Sequence, residues 1–142
     1  MNTLASVGLY AIQLAHIFSV PVVAICGSKN FELVKNVGAD WVFDYRDENL
    51  VEKVKASIPN ISHVFDCIGE VSSSTQGSQI VQSTGGILCT VNPGKDNTEN
   101  VESRVKVTDV LVFTAFWKDL QYLGLNFPVS DLQSYKDPYL LF

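Results

Sequence analysis

Val22-Val23-Ala24-Ile25-Cys26-Gly27-Ser28-Lys29-Asn30 decides the fold of this chain. A strand that is apolar on both of its faces runs into a small, polar, cationic turn. Strands of that kind belong to parallel sheets covered on both sides. The next residues keep the pattern. Asn30 is placed to cap a helix running through Val37, and Gly38 to end it in the left-handed conformation. Trp41-Val42-Phe43-Asp44-Tyr45 then gives a second short strand. This is one βαβ step, and the turn after its first strand is suited to an anion.

The alternation extends in both directions. Before this step, Leu4 to Phe18 reads as a helix, punctuated by Pro21. After it, Asp47 to Ser57 reads as an amphipathic helix with Leu50, Val51 and Val54 inward and Glu48, Glu52, Lys53 and Lys55 outward, stopped by Pro59. His63 to Ile68 is a third strand, Ser72 to Gln82 a weaker helix, and Gly85 to Val91 a fourth strand. Alternating strands and helices imply right-handed crossovers and an open parallel sheet, an α/β class. Past Pro93 the pattern changes. Lys95 to Arg104 reads as an exposed loop, Val105 to Phe116 as an aromatic-rich strand, and the chain from Leu123 as loop. The expected division is a dinucleotide-binding domain over residues 1–127 and an irregular tail over 128–142.

Bulk properties exclude several classes. With 142 residues, 46% hydrophobic and 18% charged, the chain has the composition of one ordered domain. A net charge of −5 lacks the cationic face that nucleic-acid binding requires. No run is long enough for a membrane span. The Leu4–Phe18 segment is broken by Gln13 and His16 without a basic flank, unlike a signal peptide. Cys26, Cys67 and Cys89 are odd in number and far apart, which fits neither a disulfide framework nor a zinc site. The expectation is a reduced, cytoplasmic protein with no metal, in which the Asn60-Ile61-Ser62 sequon is idle.

Ser6-Val7-Gly8-Leu9-Tyr10-Ala11-Ile12-Gln13-Leu14-Ala15, the Asn30-to-Lys35 helix, and the Gly38-Ala39-Asp40 and Phe43-Asp44-Tyr45 step resemble the medium-chain dehydrogenase/reductase superfamily. The nearest likeness is to its zinc-independent fungal branch, the trans-acting enoyl reductases and related alcohol-dehydrogenase-like proteins. Asp66-Cys67-Ile68 and Gly85-Gly86 fit the same pattern. The resemblance covers Leu4 to Val91 well and Val105 to Phe127 loosely. It implies a two-domain NADPH-dependent reductase, of which this chain matches only the cofactor domain, a partial Rossmann-like doubly wound sheet lacking its first strand. The Gly-Gly pair that ends that strand in the family is replaced by Asn2 and Thr3.

In the order 3-2-1-4-5-6 the first strand is central. Its loss removes core side chains worth about 1.5–3 kcal/mol each and leaves two strand edges unpaired, against a domain stability of about 5–15 kcal/mol. The expectation is therefore a marginal chain, one in which strands two and four pair directly, or one that depends on a partner. Self-association through the exposed sheet edge or through an aromatic patch (Phe113, Phe116, Trp117, Tyr122 and Phe127) is the expected form of partnership.

The candidate binding residues sit at one helix start and at the strand exits. Ser6, Val7 and Gly8 open the first helix, where unpaired amides attract phosphate. In the family this turn holds the pyrophosphate, while the plainer alternative is a helix start with Gly8 for close packing. Gly27, Ser28, Lys29 and Asn30 end the strand where NAD-preferring proteins place an acidic residue for the ribose hydroxyls. With no acid there, a hydroxyl and a Lys favour the 2′-phosphate of NADP(H), against the alternative of a solvated turn. The resemblance implies that Tyr45 packs on the adenine-ribose end and that the backbone at Ile68 lies near the nicotinamide. Cys67 reads as a small buried hydrophobe, Asp66 as a loop carboxylate, and His16 and His63 as surface residues. No catalytic residue is assigned. The chain reads as the cofactor-binding portion of a reductase acting on an activated C=C or C=O, inactive alone, with NADP(H) binding weak or lost. The alternative is a non-catalytic remnant acting through protein association.

Overall fold

The structure, a computed structural model, describes residues 6–110 with their side chains and the backbone of 120–122 and 125–127. The chain divides into two units, Met1–Asp109 and Val110–Phe142. The first contains α1 (Ser6–Ile17), β1 (Val23–Cys26), α2 (Phe31–Asn36), β2 (Trp41–Asp44), α3 (Leu50–Ser57), β3 (His63–Asp66), α4 (Val71–Ile80), β4 (Gly86–Thr90) and β5 (Val105–Asp109). Strict alternation of strand and helix holds as far as β4.

All strand pairings in this unit are parallel, and they form two sheets. In one, β1 pairs with β2 from Val23 opposite Trp41 to Cys26 opposite Asp44. In the other, β3 pairs with β4 (His63 opposite Ile87) and β4 with β5 (Gly86 opposite Val105). The inner strands β1 and β3 therefore have one partner each among the described residues. The direct pairing of these two strands, one of the arrangements expected from the sequence, does not occur. The sheets are the two halves of a doubly wound arrangement, and among the described residues no strand lies between them.

Side chains carry the continuity that hydrogen bonds do not. Leu50 and Val54 of α3 and Ile80 of α4 are buried together, with Val23 and Ile25 of β1, Phe43 of β2 and Val64 of β3 packed against them. A cluster of Ile12 from α1, Ala24 and Cys26 from β1, and Val34 and Ala39 holds the β1–β2 sheet to α1 and α2. At its N-terminal end α1 reaches the exit of β3, where a Cβ added at Gly8 would lie 3.5 Å from the Cys67 Sγ. Both sheets thus share helices. A third cluster, Val81, Leu88 and Val105, closes the β4–β5 side.

Local boundaries explain themselves. A 3-10 turn over Ser28–Asn30 feeds directly into α2, so the Asn30 side chain makes no capping bond, contrary to expectation. The preceding turn runs straight into the helix, with the Phe31 N–H donating to the Ser28 carbonyl. Gly38 does take the expected left-handed backbone, with φ +113°, and lies under the His16 ring. His16 is exposed, yet it covers that turn. The α4 start lies at Val71: the Glu70 N–H donates to the Ser73 Oγ at 3.1 Å. Arg104, in the segment read as exposed loop, is half-buried and donates to the carbonyls of Val81 and Gln82 beyond the end of α4.

In the second unit β6 (Leu120–Tyr122) pairs antiparallel with β7 (Leu125–Phe127). The loop expected from Leu123 is corrected here by β7. A three-residue strand is too short for period-2 patterning to register. Residues Met1 to Ala5, with Asn2 and Thr3, lie outside the described residues, as do Phe113, Phe116 and Trp117.

Gly86 shows how closely β3 and β4 enter together. A Cβ there would sit 2.2 Å from the Ser62 carbonyl oxygen and 2.8 Å from Val81. Gly86→Ala must displace backbone, and overpacking of this kind costs about 1–3 kcal/mol. We expect a lower denaturant midpoint with an unchanged slope, measured by urea unfolding.

Candidate functional site

In open α/β sheets, ligands bind beyond the carboxyl ends of the strands. In this chain those ends carry two networks.

The first joins β1 and β2. Gly27 is buried at the exit of β1, while Ser28 and Lys29 are exposed on the turn beyond it. Asp44, the last residue of β2, reaches across: its Oδ2 accepts the Ser28 N–H at 3.2 Å. The same carboxylate accepts the Arg46 backbone N–H (3.0 Å) and is gripped side-on by the guanidinium, Nε at 3.0 Å and Nη2 at 2.9 Å. Arg46 Nη2 also donates to the Ser28 Oγ at 3.1 Å. The Tyr45 N–H donates to the Cys26 carbonyl, and the Arg46 guanidinium stands 5.4 Å from the centre of the Tyr45 ring. Ser28, Lys29 and Tyr45 are thus brought to one rim, and Asn30 sits half-buried behind it.

Two members of this network are not among the candidates that the sequence offers. The acidic residue missing in sequence from the exit of β1 is present in space, contributed by the neighbouring strand as Asp44, with Arg46 beside it. Spacing carries the signal: residues two apart at a strand end project to one face. Asp47, close by, is paired with Lys53.

The second network shapes the exits of β3, β4 and β5. Asp66 is buried and accepts the N–H groups of Ile68 (3.0 Å) and Gly69 (3.1 Å) and the Ser73 hydroxyl (2.9 Å). It is a loop carboxylate, in agreement with the sequence reading. The amides of Asn92 and Asn97 both donate to the Gly69 carbonyl, and the Gly94 N–H donates to the Asp109 carboxylate at 2.8 Å. These bonds hold Ile68 outward, 50% exposed, at the end of β3. Ser6 and Val7 are exposed at the start of α1, next to Gly8 and Cys67. A methyl at Gly8 would make only an ordinary contact with Cys67, so packing alone does not demand glycine there.

Ionisation follows the geometry. Hydrogen bonds from the Arg46 guanidinium, then from its backbone N–H, hold Asp44 down to about 2. Burial, then the neighbouring Asp66, pushes the Cys67 thiol up to about 11. Burial also raises Cys26 and Cys89. The three thiols are therefore protonated at neutral pH and behave as small apolar groups. Among the described residues, no three His, Cys, Asp or Glu side chains gather as metal ligands, so these residues do not fit a zinc ion. No described helix is long and apolar enough to cross a membrane. Two shallow concavities, one lined by Pro59, Ser83 and Arg104 and the other by His16, Pro21 and Asp40, lie at the opposite, entrance ends of the strands.

Because its folded-state pKa is depressed, the Asp44 bond set is complete above the unfolded value of about 3.9 and is lost as pH falls through about 2. A carboxyl-resolved NMR titration is expected to show this, with Arg46→Ala returning Asp44 toward about 3.9.

Residues 6–123 match the family described as zinc-binding dehydrogenase. The chain is 33% identical over 119 residues to the dual trans-enoyl reductase/FAD-dependent monooxygenase of Aspergillus terreus, covering 82% of this chain and 16% of that protein. It is 37% identical over 110 residues to a trans-enoyl reductase of Alternaria alternata, covering 76% of this chain and 31% of that protein. The chain thus spans about a third or less of the length of these relatives. The crystal structure of Escherichia coli quinone oxidoreductase complexed with NADPH shares its fold, with a TM-score of 0.60 at 20% identity over 94% of this chain and 40% of that one. Parallel β1–β2 and β3–β4–β5 sheets, helices shared between them, and the match over residues 6–123 agree: the chain belongs to the zinc-binding dehydrogenase family, within the medium-chain dehydrogenase/reductase superfamily.

Proposed function

We propose that this chain is the cofactor-binding portion of an NADPH-dependent reductase acting on an activated C=C or C=O bond. The observation that carries the reading is the rim at the exits of β1 and β2, where the Ser28 hydroxyl, Lys29, Tyr45 and Arg46 stand together over a buried Gly27. Hydroxyl and cationic donors on a short turn match a phosphate monoester, and an aromatic ring beside them matches an adenine face.

Each residue has a role that comes from its position. Ser28 and Lys29 donate to the 2′-phosphate. Asn30 backs the turn, and Gly27 lets the ribose approach the backbone without a Cβ. Tyr45 covers the adenine-ribose end. Ser6, Val7 and Gly8 bring the amides of α1's first turn toward a pyrophosphate. Ile68, held outward by Asp66, offers an apolar contact where a nicotinamide ring would end. The bound dinucleotide supplies the hydride; these residues bind and orient it. In this reading the chain does not turn over alone.

A second reading, association without catalysis, draws on one observation. Tyr10, Leu14, Ile17 and Phe18 of α1 and its C-terminal turn are between 50% and 71% exposed, and contiguous apolar exposure marks association surfaces.

Titration calorimetry of the chain with NADPH, with NADH as control, separates the two. Weak heat with NADPH, exceeding that with NADH, is the expected result. No heat with either nucleotide, together with self-association that grows with protein concentration, favours the second reading.

A further inference from the structure

We propose that α1 is a dimer-forming helix: Val7, Tyr10, Leu14 and Ile17 make a seam on its outer face that pairs, antiparallel, with the same seam of a second copy of this chain. This assignment rests on the association reading above and adds the partner and the contact geometry to it.

α1 is apolar on both sides. On its inner face Ile12 is buried with Ala24, Cys26 and Val34, and Leu9 packs against them. Its outer face is apolar too: Val7 is 48% exposed, Tyr10 68%, Leu14 50% and Ile17 71%, with Phe18 (67%) just past the helix. The helix Ser6–Ile17 contains no Asp, Glu, Lys or Arg. A helix with one solvent-facing side carries charged and polar residues there, whereas a helix that is apolar all round is covered all round. The outer face of α1 is therefore built to be covered.

Three features select a second copy as the cover. Spacing is the first: residues 7, 10, 14 and 17 follow one another by three, four and three, the rhythm by which one helix packs along another. Charge is the second. The chain has a net charge of −5, yet the side chains flanking the seam are Ser6, Ala11, Gln13 and Phe18, so two identical faces meet without like charges. A membrane surface would instead ask for Lys or Arg along the helix, and α1 has neither. Area is the third. At the size of such side chains, the exposed parts of Val7, Tyr10, Leu14, Ile17 and Phe18 amount to roughly 600 Å². That reaches the upper end of the apolar patches found on monomers and approaches the roughly 800 Å² that each partner buries in a stable complex.

Antiparallel pairing matches both sizes and dipoles. It sets Tyr10 against Leu14 of the second copy and Val7 against Ile17, the smaller side chain facing the larger. It also brings the positive end of each helix beside the negative end of the other. Ile12, on the opposite face, keeps its contact with β1.

The test is sedimentation velocity of the whole chain over a wide range of protein concentration, with circular dichroism as a fold check. Wild type should pass from monomer to dimer as concentration rises. Tyr10→Glu combined with Ile17→Glu, at the two most exposed positions of the seam, should weaken the dimer by about ten-fold or more, as loss of apolar anchors at an interface does. Orientation is read by oxidative cross-linking on a non-reducing gel. Tyr10→Cys combined with Leu14→Cys should give more covalent dimer than wild type, and Leu14→Cys alone should not. Equal cross-linking by Leu14→Cys alone overturns the antiparallel pairing. A dimer left intact by Tyr10→Glu with Ile17→Glu overturns the seam while the association reading stands. A wild-type chain that is monomeric throughout overturns the assignment and the association reading together.

Discussion

Among the described residues, β1 and β3 each have a hydrogen-bonded partner on one side only, and the rest of the first unit depends on what spans the position between them. Leu50, Val54 and Ile80 span it on one side, collecting Val23, Ile25, Phe43 and Val64 from both sheets. On the other, α1 rests Ile12 on β1 and brings Gly8 to the exit of β3. Fully buried Leu, Ile or Val side chains contribute about 1.5–3 kcal/mol each, so a few of them are a large share of a domain's net stability. Non-directional burial thus holds together two sheets that no described ladder joins.

That arrangement sets the chemistry at the strand exits. Because β1 and β2 are paired through Cys26 and Asp44, the last residue of β2 lies beside the turn after β1. Asp44 therefore holds Ser28 and anchors Arg46 in one stroke. At the exits of β3 to β5 the same device recurs with Asp66 and Asp109, each holding a neighbouring loop by its N–H groups. A carboxylate at a strand exit is the recurring means by which this fold fixes its loops.

Much of this is legible in the sequence because it is local. Apolar runs of strand length, amphipathic spacing in Leu50–Val54 and the left-handed Gly38 are properties of a few adjacent residues. The exit networks are less so. Asp44 and Ser28 are sixteen positions apart, and only the parallel pairing of β1 with β2 makes them neighbours. The acid that the exit of β1 lacks in sequence is supplied by the next strand. The Asn30 cap fails for a related reason, since the turn before it has already begun the helix. In β7, three residues carry too little pattern to read.

Among the described residues the central position is open, and residue-resolved hydrogen exchange of the chain tests it most directly. Slow exchange is predicted for amides between β3, β4 and β5 and between β1 and β2. Fast exchange is predicted for the amides of β1 and β3 directed away from their single partners. Protection of those outward amides to the same degree as the paired ones would show a hydrogen-bonded ladder across the gap and contradict an open centre.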